Sequence, residues 1–368
     1  MTRSTRVVAA GLQLLVAGPL FAQQTTSFTV GSATPAPGKT AYGAISIPAG
    51  SDSATNIPVA VIRGVRPGPV VAFVAGSHGT EYSSIVAMQQ LIGRIDATKL
   101  AGTVIVAPLL NIASFEQMTP HINPIDRKGM NGGYPGDASG TQTARVLAAV
   151  TEQIVTPATV VVDLHGGDID EDLRPYSYWF RGGRAAQDSA GLKLALAFGL
   201  DHIIVSDVDP SSPTAGRSLS GIALVRGKTV LVAEAGRSGV VAPSDLEALV
   251  DGSLNVLGEL HMLDRHVTHV AKPVWLAGAG ARVAADSAGV FIAAVARDTR
   301  VTKGQVVGHT TDFLGRPTGD IRAPIDGLVT FIRGVPSMWP GDAGQCGACF
   351  VGARRMEGIA TLIAVGST

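Results

Sequence analysis

The stretch Val70-Val71-Ala72-Phe73-Val74-Ala75-Gly76-Ser77-His78-Gly79-Thr80-Glu81 decides how this chain folds. Its first half is an unbroken apolar run, the pattern of a strand buried on both faces rather than one half exposed to water. Gly76 and Gly79 then permit a tight turn, and residues 83–94 carry apolar side chains at helical spacing. The same strand-like pattern recurs at Val59–Arg63, Val104–Pro108, Val160–Leu164 and Val230–Ala233, with shorter strands expected at Ser27–Val30 and Gly43–Ile47. Helical spacing recurs at Gln142–Ile154, Ala185–Phe198 and Ser244–His261. Alternation of this kind predicts an α/β sheet with helices on both faces.

The character of the sequence shifts near Lys272. Beyond it come short strands at Ala281–Ala284, Gly289–Ala294, Val306–Thr310 and Ala323–Phe331, frequent glycine and no convincing helix. The expected organisation is therefore an α/β domain over residues 23–271 and a smaller β-domain over 272–368. The runs Thr302-Lys303-Gly304-Gln305 and Ala323-Pro324-Ile325-Asp326-Gly327 read as hairpin corners.

Composition narrows the function classes. Of 368 residues, 46% are hydrophobic and 16% charged, which favours a sizeable core over disorder. Lys+Arg and Asp+Glu are equal at 29 each, with no basic stripe, which argues against nucleic acid as the partner. Arg3 and Arg6 precede the mostly apolar segment Val7–Phe21, and Ala22 precedes a polar run, the pattern of a signal peptide over residues 1–22. An exported protein, periplasmic or secreted and free of the membrane after cleavage, is the expectation. Export permits a disulfide between the only two cysteines, Cys346 and Cys349; two inert thiols are the other reading.

Three strand ends carry groups suited to metal-assisted hydrolysis. His78 and Glu81 lie three residues apart where a helix begins, a spacing that lets both side chains face one point. His165 ends the strand Val160–Leu164 and completes a set of two imidazoles and one carboxylate, which suits Zn²⁺ and leaves a fourth tetrahedral position for water. Asp163, two residues earlier on the same strand face, is placed to orient that ligand. Glu234 follows the strand Val230–Ala233 and fits a general base that later protonates the leaving amine, with Asp168 the next choice. Taken singly, each residue has an ordinary structural reading; their shared placement after a strand and beside glycine carries the functional one.

In these segments the chain resembles the succinylglutamate desuccinylase/aspartoacylase family, a branch of the zinc carboxypeptidase-like enzymes. The resemblance rests on Gly76–Glu81, on Asp163-Leu164-His165-Gly166-Gly167, on Asn123-Pro124-Ile125-Asp126 with Asn131-Gly132-Gly133-Tyr134-Pro135-Gly136, and on Glu234-Ala235-Gly236. It implies a zinc-carboxypeptidase-like mixed sheet flanked by helices with a smaller C-terminal β-domain. It also implies zinc on His78, Glu81 and His165, Glu234 as base and acid, and hydrolysis of small N-acylated amino acids at the amide. A peptidase acting on peptides or peptidoglycan fragments, or a binding protein without turnover, would share the same motifs. The sequence departs from the family at Gly132, where an Arg commonly grips a substrate carboxylate. Asn131 can still donate a hydrogen bond, and Arg127 and Arg174 are candidates for the missing charge. Arg174 is favoured because it follows His165 closely and precedes Tyr176, Tyr178 and Trp179.

Overall fold

The computed structural model describes residues 27–278, 280–283, 286–338 and 348–351. The expected signal peptide and Cys346 lie outside them, and with Cys346 the question of its pairing with Cys349.

The α/β part is built from β1 (Lys39–Ile47), β2 (Thr55–Arg63), β3 (Arg66–Ala75), α1 (Tyr82–Arg94), β4 (Ala101–Ala107), α2 (Ile112–Glu116), α3 (Gln142–Val150) and β5 (Val160–His165). It continues through β6 (Glu171–Leu173), β7 (Tyr176–Arg181), α4 (Ala185–Phe198), β8 (His202–Asp207), α5 (Leu219–Val225), β9 (Thr229–Glu234), α6 (Pro243–Glu259) and β10 (Val274–Leu276). Nine of these strands form one mixed sheet in the order β1-β2-β4-β3-β5-β9-β7-β8-β10. β3, β4, β5 and β9 run parallel, while β7 runs antiparallel to β9.

Side-chain alternation along the central strands explains why helices cover both faces. Val71, Phe73, Val162, Leu164, Leu231 and Ala233 are buried with Met88 and Leu91 of α1, Leu192 of α4 and Leu254 and Leu257 of α6. The intervening Ala72, Val74, Val161 and Val230 are buried on the other face with Val146 and Val150 of α3 and Leu219 and Leu224 of α5. Alternation then puts Asp163, His165 and Glu234 on the α3–α5 face. β4 flanks β3 on one side and β5 on the other, so the strand order reverses at β3. Ligands of open α/β sheets bind in the crevice at that reversal, beyond the carboxyl ends of the strands.

Beyond β10 come β11 (Gly280–Val283), β12 (Gly289–Ala293), β13 (Arg300–Val301), β14 (Val306–Thr311), β15 (Pro317–Arg322), β16 (Gly327–Arg333), β17 (Ser337–Met338) and β18 (Ala348–Val351). They form two antiparallel sheets, one in the order β11-β18-β16-β13 and one in the order β15-β14-β12-β17. Phe291, Val301, Val307, Val329 and Ile332 form their own small core. β6, which leaves the large-sheet region after β5, pairs with β16, Leu173 opposite Phe331, and hydrogen-bonds the two parts together.

Three local expectations need correction. At Ser27–Val30 there is only a bridge between Val30 and Ala33, because Gly31 at φ +56° turns the chain back at once. The helix expected over Gln142–Ile154 changes to π geometry at Thr151–Val155, where Thr156 N–H donates to Thr151 O. The strand expected from Ala323 begins at Gly327, since Ala323–Asp326 makes the corner.

Candidate active site

Gly76 has φ +66°, and a Cβ there would sit 2.8 Å from Leu109 Cα, so the turn out of β3 requires glycine. That turn delivers His78 and then Glu81 at the N-cap of α1. Glu81 is buried between two imidazoles: its Oε1 lies 2.7 Å from His78 Nδ1 and its Oε2 2.9 Å from His165 Nδ1. Gly166 N–H also donates to Oε2 at 3.2 Å. Burial pushes the Glu81 carboxyl up, but the facing His165 and His78 pull it down to about 2.

The set could hold a metal ion. One donor atom from each of His78, Glu81 and His165 lies within 4.8 Å of the others. The far nitrogens of both rings are turned to other partners: His165 Nε2 lies 3.1 Å from Asp163 Oδ1, and His78 Nε2 lies 3.5 Å from Asn131 Nδ2. An Nε2–H···carboxylate contact fixes the His165 tautomer that presents an Nδ1 lone pair to the centre. Two imidazoles and a carboxylate fit a Zn²⁺-type donor set.

Glu234 stands directly opposite His165 in the parallel register of β5 and β9. The loops leaving these strands touch back to back: a Cβ on Gly236, at φ +154°, would lie 3.2 Å from Gly166 Cα, so a larger residue would spread the strand ends. Among the described residues nothing hydrogen-bonds the Glu234 carboxyl. Burial raises its pKa to about 7, and Glu81 adds to the rise, while His165 opposes it. Such a carboxyl can exchange a proton near neutral pH.

A second group, of which only Asp168 was singled out from the sequence, abuts the first. His121, whose ring meets His78 edge-on at 5.9 Å, lies 3.0 Å from Asp168 through Nδ1 and 3.3 Å from Asp170 through Nε2. Asp170 also pairs with Arg333 of β16 at 3.1 Å. Asp168, the second choice as base, is fully buried and bonded to His121 and to the Ile169 N–H. It serves here as a partner of His121. Burial alone would lower the His121 pKa, but hydrogen bonds to the two carboxylates raise it to about 11. The folded value exceeds the unfolded one near 6.5. The stability His121 contributes is therefore fully present below pH ~6.5 and is lost as pH rises through about 11. His121→Ala is expected to cost about 3 kcal/mol at pH 6, by leaving the buried Asp168 carboxylate without its cationic partner. Urea unfolding of both proteins at pH 6 and pH 10.5 checks this, and a gap that does not narrow at the higher pH contradicts it.

The arginines fall differently from expectation. Arg174 Nη1 lies 2.6 Å from Asp298, its Nη2 lies 2.8 Å from Asp201, and its backbone N–H donates to Thr330 O. The structure thus places it at the seam with the C-terminal sheet, where its guanidinium is already engaged by carboxylates, and not as a clamp. Arg127 is exposed at φ +59°, and no described contact links it to the cluster. Arg181 pairs with Asp207 at the far end of β7. The residue that reaches the departure at Gly132 is Arg217. Its carbonyl accepts the Gly132 N–H at 2.6 Å, and its own Nε–H donates to Gly132 O at 2.8 Å. Its terminal nitrogens bond no other described residue. Arg217 lies 85 positions from Gly132 in the chain. Only the Arg-Ser pair before α5, where Ser218 caps the helix through Gly221 N–H, marks that place in the sequence.

Residues 67–260, more than half of the chain, match the model of the succinylglutamate desuccinylase/aspartoacylase catalytic domain. The chain belongs to this family. A curated relative is the N-alpha-acetyl-L-2,4-diaminobutyric acid deacetylase of Halomonas elongata, 29% identical over 316 residues, covering 82% of this chain and 89% of the relative. The family fold is also seen in a succinylglutamate desuccinylase from Silicibacter sp. TM1040 (TM-score 0.76, 21% identity, 88% of this chain and 98% of that one). A product-bound ectoine utilization protein EutE (DoeB) from Ruegeria pomeroyi superposes equally well (TM-score 0.76, 22% identity, the same coverage). The family is one of deacylases acting on small N-acyl amino acids, and the mixed sheet with its C-terminal antiparallel sheets is its fold.

Proposed function

We propose that this protein is a zinc-dependent hydrolase of N-acylated amino acids. The observation that carries the reading is the convergence of His78 Nδ1, Glu81 and His165 Nδ1 within one buried cluster, with Glu234 in register beside it. Its relation to a deacetylase of N-acetyl-diaminobutyrate supports the substrate class. His78, Glu81 and His165 would hold the zinc, whose chemistry when bound is Lewis acidity that polarises the amide carbonyl and acidifies water. Asp163 keeps the His165 ring turned so that Nδ1 faces the centre. Glu234 takes the proton from the attacking water and returns it to the nitrogen of the breaking amide, which yields a carboxylic acid and a free amino acid. Asn131 and the terminal nitrogens of Arg217 bind the carboxylate of the amino-acid arm, the charge that Gly132 cannot supply. The charged and apolar pattern of residues 1–22 supports export.

Zinc-loaded protein incubated with a panel of N-acyl amino acids, their carboxyl amides and short peptides tests the reading. Hydrolysis of the N-acyl amino acids is expected. Cleavage of the peptides alone would replace the reading with a peptidase, and no turnover on any member would overturn it. In the same panel Arg217→Ala is expected to lower kcat/KM by roughly 10–150-fold on the free acids, equivalent to about 1.5–3 kcal/mol, and to affect the carboxyl amides far less. Equal losses on both would move the carboxylate clamp elsewhere.

A further inference from the structure

A carboxyl that acts as a base must be held toward the water it deprotonates, and a hydrogen bond from a neighbouring donor is the usual restraint. Glu234 has no such bond among the described residues, so its direction has another cause. The strand register supplies one. His165 of β5 stands opposite Glu234 of β9, and Glu234 in turn stands opposite Tyr176 of β7. Alternation puts all three side chains on the same face of the sheet, in one row, on strands about 4.8 Å apart. The carboxyl therefore rises between an imidazole of the metal-binding cluster and a phenol ring.

That ring is firmly fixed. Tyr176 is buried in a cluster with Leu173 of β6 and Phe331 of β16. The ring of Tyr178, two residues along on the same strand face, meets it edge-on at 5.5 Å. Leu173 and Phe331 are themselves opposite each other in the β6–β16 ladder, so the C-terminal sheet helps to hold the ring in place. The Tyr176 hydroxyl is engaged by Tyr178, and burial together with the nearby Glu234 keeps its pKa well above the usual phenol range. The phenol is neutral and brings no charge to the carboxyl. What it offers Glu234 is bulk, a rigid plate on the side away from His165. A glutamate side chain has many rotamers, and a neighbour that blocks those pointing away from the cluster leaves those pointing into it.

We propose that Tyr176 is a positioning residue for the base: its ring, fixed by Leu173, Tyr178 and Phe331, holds the Glu234 carboxyl against the metal ligands. This rests on the hydrolase reading above. The test compares Tyr176→Leu and Tyr176→Phe in zinc-loaded full-length protein, each in the parent and in the Glu234→Gln background, on one N-acyl amino acid. In the parent background Tyr176→Leu is expected to lower kcat by about 10–100-fold, the scale of a small misplacement of a catalytic group, with KM and bound zinc unchanged. Tyr176→Phe keeps the plate and is expected to restore kcat to within about threefold. In the Glu234→Gln background, where no base remains to be held, Tyr176→Leu is expected to cost less than about twofold, because residues acting through one function are not additive. Equal losses in both backgrounds, a loss in Tyr176→Phe as large as in Tyr176→Leu, or no loss at all overturns the inference and leaves the hydrolase reading standing. A fall in bound zinc or a rise in KM that accounts for the loss does the same. No turnover by the parent overturns both. If urea unfolding shows that Tyr176→Leu has lost its fold, Phe331→Leu takes its place, with about a threefold loss of kcat expected in the parent background and none in Glu234→Gln. Equal losses there, or none in either, overturn the inference in the same way.

Discussion

Removing zinc with a chelator is expected to abolish hydrolysis, and adding Zn²⁺ back is expected to restore it. His165→Ala should neither bind stoichiometric zinc nor turn over substrate. The reason lies in the donor set. Three donors from two strand ends meet in a buried space, and loss of one leaves a pair whose remaining geometry no longer encloses a cation. Asp163→Asn is expected to be milder, about 10–100-fold in zinc affinity, because the ring stays but its orienting acceptor is weakened. Metal analysis beside the activity assay separates the two. Full activity in protein shown to be metal-free would sink the assignment of these three residues.

Glu234→Gln is expected to keep its fold and its zinc while kcat falls by about 10²–10⁴-fold, the usual contribution of a positioned acid–base group. The amide preserves shape and takes away the ability to carry a proton. The carboxyl suits the task because burial holds its pKa at about 7, and because no described neighbour occupies its oxygens. A zinc-loaded Glu234→Gln enzyme with near-normal kcat would place the base elsewhere. Asp168 would be a poor replacement, being fully buried and bonded to His121.

Much of the fold was legible because the central strands are buried on both faces and so read as uninterrupted apolar runs. Val70–Ala75, Val160–Leu164 and Val230–Ala233 are examples, and each delivers a polar residue at its end. β7 and β8 were not read as strands: Tyr176–Arg181 mixes aromatic, polar and charged residues because its aromatic face meets Leu173 and Phe331 rather than a helix. His78 and Glu81 are three residues apart, so their meeting is a local property of the turn. That His165 meets Glu81 depends on β3 and β5 being neighbours, which spacing along the chain does not encode. Arg217 was invisible for the same reason, since it comes to Gly132 through a long loop, and its one backbone and one Nε–H contact there join residues far apart in the chain. Arg174 was misjudged because closeness to His165 in sequence says nothing about Asp201 and Asp298, which hold it.

The pairing of β6 with β16 has a consequence for how the molecule comes apart. The segment from Asp168 to Arg174 follows the His165 strand, and it is fastened to the C-terminal strands at several points. Leu173 sits opposite Phe331 in the ladder, Asp170 pairs with Arg333, and Arg174 pairs with Asp298. Peeling the small sheets away would expose Leu173 and Tyr176 together and leave the carboxylate facing His121 without its guanidinium. The wall beside His78 and the C-terminal strands are therefore expected to open as one cooperative unit, so that hydrogen exchange in the outer sheet and in the segment behind His165 should report the same opening free energy.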